Sequence, residues 1–170
     1  LFSRTSARPF DFERFREKMK TQGLNSEQLR FQSSFSRLES GEKSIMIYVS
    51  YGGAPAGYLD MVYSPKEGVF QSHSFLNEPF RGAGMGMMLY VLAAKIAYER
   101  YRSKFTSSIA PEVDASIIWE WAKRNQWTEM NRKLGRPQFI LSIVAGNFGE
   151  LYSFFLAKTD GELPSSALIR

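Results

Sequence analysis

Apolar residues first recur with helical spacing just after Asp11. Phe12, Phe15 and Met19 share one face, Glu13 lies in the first turn, and Gly23 supplies a stop. The spacing then predicts a second helix: Asn25-Ser26 offers an N-cap, Glu27 follows in the first turn, and Leu29, Phe31, Phe35 and Leu38 are its apolar residues before Gly41. Beyond Gly41 the period changes to two. Ser44 to Ser50 reads as a strand, Gly52-Gly53-Ala54-Pro55 as its turn, and Gly57 to Ser64 as a second strand. After the turn Pro65-Lys66-Glu67-Gly68, a third strand from Val69 to Leu76 runs straight into a glycine-rich loop. A long amphipathic helix from about Met85 to Tyr101 leaves that loop, with Met85, Met88, Leu89, Leu92 and Ile96 on its buried side, where the methionines are core packing.

The second half of the chain continues the alternation. Lys104 to Ser108 fits a short strand. Pro111 at a first helical position, with Glu112 and Asp114 nearby, starts a helix whose apolar side is Ile117, Ile118 and Trp121. A loop through Gly135-Arg136-Pro137 leads to a strand over Gln138 to Val144, a turn at Gly146-Asn147-Phe148-Gly149, and a last strand over Leu151 to Lys158 that Asp160-Gly161 ends. At the other end, Leu1-Phe2-Ser3-Arg4 fits the end of an edge strand, and the tail from Glu162 to Arg170 is expected to be peripheral. There is no repeat, low-complexity tract or interdomain linker, and 170 residues is the size of one domain with one substantial core.

The chemistry centres on Arg81-Gly82-Ala83-Gly84-Met85-Gly86. Glycines at alternate positions between a strand and a helix let the backbone approach a ligand closely, and the first helical turn presents unpaired N–H groups at the positive end of a dipole. An anion, and a phosphate above all, suits such a place. A Walker loop is excluded because Met87 and Met88, not Lys and Ser or Thr, follow Gly86. A dinucleotide fingerprint fits poorly, since the spacing is G-x-G-x-G and the preceding strands read as antiparallel hairpins. What remains, Arg-x-x-Gly-x-Gly after a strand, resembles the pyrophosphate loop of the GNAT superfamily of acyl-CoA-dependent N-acetyltransferases. The order of elements from about residue 4 to 158 is similar to that of the family.

The resemblance implies an α+β fold with a mixed, mostly antiparallel central sheet flanked by helices, splayed where the glycine-loop strand meets the next, and an acyl-CoA co-substrate, acetyl-CoA or another, in that cleft. Main-chain N–H groups of Gly82, Ala83, Gly84, Met85 and Gly86 would hold the pyrophosphate, Arg81 would add positive charge at the entrance, and Ser74 and Leu76 would offer main-chain groups to the pantetheine arm. An unidentified amine would attack the thioester directly. The chain also departs from the family. Where a Tyr often protonates the leaving thiolate, the nearest residue is Trp119, with Trp121 close by, and indole is no such acid. A Glu used as general base has no counterpart between Val69 and Leu76. His73 is the one residue there of a type that exchanges protons near neutral pH, and it is a candidate base through a water, or a histidine simply packed within a sheet. Asn125-Gln126-Trp127 replaces the Gly-Phe that usually closes the following helix.

Composition narrows the alternatives. The absence of cysteine removes disulfides, thiolate metal sites and a Cys nucleophile, and a single histidine removes a multi-His metal site. A net charge of +5 suits an anionic ligand, but Lys and Arg are scattered, so nucleic acid is not indicated. No apolar run approaches the roughly 18 residues of a membrane span, and no signal-like start is present, so a cytoplasmic protein is expected. The chain opens at Leu1 rather than methionine, as a trimmed chain or one piece of a longer protein would. Two other classes stay open: a catalytically degenerate GNAT-like binding or structural module, and a nucleic-acid binder using the abundant aromatics, 14 Phe and 8 Tyr. Phe31 and Phe35 would shape the acceptor side under the GNAT reading, or are core.

Overall fold

A computed structural model describes residues 11–108 and 113–140. The expectations for Leu1 to Arg4, Pro111 and Glu112, the strand beyond Ile140, the turn at Gly146, the strand over Leu151 to Lys158 and the tail lie outside the described residues. Helix α1 (Phe12–Thr21) begins where its sequence predicts, because the Asp11 carboxylate accepts from Arg14 N at 2.9 Å and caps the first turn. It ends before Gly23, whose φ of +78° a side chain would strain.

The predicted second helix is not formed. Asn25 does cap, accepting from Glu27 N at 2.9 Å, but only one 3-10 turn follows (Ser26–Gln28) before strand β1 (Leu29–Arg37). Leu29 and Phe31 are buried and Gln32 is exposed, an alternation that belongs to a strand. Tertiary pairing decides the matter: β1 is registered antiparallel against β2 (Lys43–Tyr51) along its whole length, from Leu29↔Tyr51 to Arg37↔Lys43. Strands β3 (Ala54–Ser64) and β4 (Gly68–Leu76) extend this antiparallel meander.

The glycine loop then opens helix α2 (Met85–Tyr101), which crosses over to β5 (Phe105–Thr106), parallel to β4. Helix α3 (Val113–Arg124) leads to a hairpin of β6 (Thr128–Asn131) and β7 (Arg136–Phe139). Strand β6 has no counterpart in the sequence reading, since Thr-Glu-Met-Asn lacks an apolar run, and β7 starts two residues earlier than Gln138. Among the described residues the fold is α+β, with one mixed, mostly antiparallel seven-stranded sheet in the order β1-β2-β3-β4-β5-β7-β6.

Two amphipathic assignments need correction. Helix α2 is not one-sided: Met87, Tyr90, Val91, Ala93, Ala94 and Ala97 are buried along with the predicted face. The sheet lies on one side of it, while Phe15 of α1 and Ile118 and Trp119 of α3 approach from others. On α3, Ile117 is 61% exposed, and among the described side chains the buried ones are Trp119 and Ala122, with Ile118 and Trp121 half-buried against the core.

Register also sorts the two faces of the meander. Ile45, Ile47, Leu59 and Met61 are fully buried on the helical face, whereas Tyr48, Tyr58, Asp60, His73 and Phe75 share the other and none is buried. At the α2 C-terminus, Tyr101 stacks on Tyr63 with centroids 4.2 Å apart, and its buried hydroxyl has no hydrogen-bond partner among the described residues. Burial raises its pKa above the ordinary 10.0, with Tyr63 adding to the effect and Arg100 opposing it. A raised folded-state pKa means stability that is full below the unfolded value and lost as pH climbs through the folded one. Tyr101→Phe should therefore hold or raise stability by up to about 1 kcal/mol at neutral pH. Above pH 10.0 it should lose less stability than the parent, as read from urea midpoints. A destabilised Tyr101→Phe would show that the hydroxyl is bonded.

Candidate functional site: a cleft at the edge of strand β4

Strand β4 starts beside β5 and does not stay there. The parallel pairing covers only Val69↔Phe105 and Phe70↔Thr106. Immediately beyond, the register against β3 jumps from Met61↔Gln71 to Asp60↔His73, leaving Ser72 as an extra residue. A bulge bends and twists its strand, here at the point where β4 parts from β5. From His73 to Leu76 the outer edge of β4 pairs with no described strand.

The main chain of that edge can be oriented. Asn77 N donates to Ala56 O at 2.9 Å, toward β3. Alternation then directs the N–H and C=O of Ser74 and Leu76 outward, to the open side. The Leu76 carbonyl confirms the direction by accepting from Arg81 Nε at 2.9 Å. That bond folds Arg81 back along β4, with its guanidinium carbon 5.7 Å from the Phe75 ring centroid.

The loop is held from both ends. Asn77 Nδ2 donates to Pro55 O at 2.8 Å, Phe80 packs on Tyr51 with centroids 5.4 Å apart, and Gln22 Nε2 donates to Arg81 O at 2.8 Å. Between these anchors Gly82 and Gly84 take φ of +87° and +94°, and the buried Ala83 pins the turn to the core. Gly84 is the N-cap of α2. Among the described residues no side chain caps that terminus, and no acid occupies its first turn, so the positive end of the helix is not offset there. Gly86 serves packing: a Cβ there would stand 2.9 Å from Ile118 Cδ1.

The loop, the β4 edge and all three helices enclose a cleft of about 1440 Å³. Of the sequence-predicted residues, His73, Ser74, Leu76, Arg81, Gly82, Ala83, Gly84 and Gly86 line it together, while Met85 is buried and does not. Sequence reasoning missed Arg14 and Lys18 of α1 and Arg124 of α3, which bring positive charge to the same cleft. Of the acids there, Asp11 is engaged in its cap and Glu13 lies 3.8 Å from Arg16. Their signal was weak because the helices that carry them are far from the loop in the chain.

Trp119 is not at this site. It is 5% exposed, sits edge-on to Tyr90 and Phe139 at 5.7 and 5.4 Å between centroids, and lies 5.6 Å from Phe105. It is a core residue joining α3 to the sheet, and it is not among the residues that line the cleft. Trp119→Tyr should therefore cost about 1–3 kcal/mol in chemical denaturation and leave ligand binding unchanged. Altered binding at unchanged stability would place the ring in the cleft.

No protein-family model, curated protein or solved structure matches the chain.

Proposed function

We propose that the cleft binds an acyl-CoA, acetyl-CoA or a related thioester, and that the protein is a GNAT-like N-acyltransferase. The observation that carries the reading is a coincidence of three features in one cavity: an uncapped helix N-terminus behind a glycine loop, an outward-facing main-chain edge, and a surround of cations. The first and last suit a pyrophosphate. The edge suits an amide-bearing arm, which pairs with a strand as another strand would. The cavity exceeds the roughly 300–1,000 Å³ of an ordinary small-ligand pocket, leaving space for an elongated co-substrate and an acceptor.

In this reading the amine attacks the thioester carbonyl directly, positioned by the cleft, and main-chain donors at the parting of β4 and β5 stabilise the oxyanion. His73 lines the cleft and packs on Tyr58, with ring centroids 5.5 Å apart, so its imidazole is held where it can take the amine proton through a water. The position of Trp119 in the core removes one argument for a degenerate module, because the identity of that residue says nothing about the site.

Variants at two positions test the reading. At Gly84 any side chain is strained by the positive φ, so Gly84→Ala and Gly84→Glu should share a cost of about 1–2 kcal/mol in stability. Only Gly84→Glu should also lose acetyl-CoA affinity, by about 30-fold or more, because a carboxylate would enter the anion site. Equal affinity of the two folded variants by calorimetry would remove the pyrophosphate assignment. His73→Gln should lower turnover by roughly two to four powers of ten with acetyl-CoA affinity nearly intact. A loss below about threefold would make His73 a packing residue.

A further inference from the structure

The face of the sheet away from the helices carries a second constellation, continuous with the cleft. Direct cross-strand partners point to the same side, and the register sets Tyr48, Tyr58 and Phe75 in one row across β2, β3 and β4. The adjacent row is Met46, Asp60 and His73. Tyr58 contacts Phe75 and His73 with centroids 6.2 and 5.5 Å apart, and Tyr48 and Phe75 are 41% and 45% exposed. Asp60, the one carboxylate in the two rows, accepts from Ser44 Oγ at 3.3 Å. His73 and Phe75 point to this face yet also line the cleft, whereas Leu76 reaches toward Gly86 on the helical side, its Cδ1 3.7 Å from the place of a Cβ there. The cleft and this face therefore meet along the edge of β4.

Ring faces beside a carboxylate recognise a cation with an apolar body. A carboxylate in the middle of the platform repels phosphate, which argues against a nucleic-acid strand lying on these rings. We propose that this face is the acceptor site, and that the acceptor is a primary arylalkylamine, bound as its ammonium ion with the ring on Tyr58 and Phe75 and the nitrogen toward Asp60. The proposal rests on the acyltransferase reading for its chemistry. Bound this way, the nitrogen lies beside the His73 register position, at the edge where the thioester would be presented from the helical side. The ammonium gives up a proton by way of His73 to water, and the freed nitrogen forms its bond to the carbonyl carbon. As the carbon–sulfur bond breaks, the thiolate leaves with the electron pair and takes a proton from solvent. The nitrogen sheds its second proton, so amide and thiol are the products.

The test is calorimetry with 2-phenylethylamine, propylamine and 3-phenylpropionate on the full chain saturated with acetyl-CoA, and again without it. Phenylethylamine should bind at least tenfold more tightly than either of the others. Asp60→Asn should remove its advantage over phenylpropionate, and Tyr58→Leu its advantage over propylamine, both with acetyl-CoA affinity unchanged. Absence of phenylethylamine binding, or binding indifferent to Asp60→Asn, overturns the proposal, as does tight binding of oligouridine that Asp60→Asn strengthens. If the amine pattern holds but acetyl-CoA does not bind, the amine site stands and the co-substrate reading falls.

Discussion

The burial of α2 on nearly every side is the constraint from which the rest of the architecture follows. A helix this apolar has to be enclosed, and the sheet, α1 and α3 each cover part of it. Enclosure needs close approach, which Gly86 permits at the crossing with α3. The packing also fixes the N-terminus of the helix in space. Besides its partly exposed last turns around Glu99, α2 is open at its N-terminus, the positive end of its dipole, which borders the cleft.

The second determinant is the bulge at Ser72. A strand that continued regularly beside β5 would have closed the sheet and used its hydrogen bonds on a neighbour. By turning away, β4 leaves an outward-facing main chain next to the glycine loop, so the helix terminus and the strand edge share one cavity. The row from Tyr48 to Phe75 lies on the face turned away from the helices and reaches the same edge. In the proposed reaction, donor and acceptor would approach the parting of the strands from opposite faces.

Much of this was legible in the chain. Helices α1 and α2, the hairpins of β2 to β4 and the loop that joins β4 to α2 follow from period, caps and glycines, which act over a few residues. What failed were features decided at long range. The segment Leu29–Arg37 carries apolar residues at spacings compatible with either period, and pairing with β2 made it a strand. The all-round burial of α2 depends on what surrounds it, and the orientation of α3 depends on Trp119 finding Tyr90, Phe105 and Phe139. At the site, the loop was visible because its three alternate glycines stand together in the chain, between a strand and a helix. The cations of α1 and the aromatic row were not, because the first reach the cleft by helix packing and the second meet through the sheet register.

The central claim is that one ligand lies across both the α2 N-terminus and the β4 edge. An amide-resolved NMR titration with acetyl-CoA addresses it most directly. The N–H resonances of Gly82 to Gly86 and those of Ser74 and Leu76 should shift together, saturating at one equivalent, while those of β1 and β6 stay in place. Shifts confined to another surface, or no shift at the loop when the ligand is in excess, would contradict it.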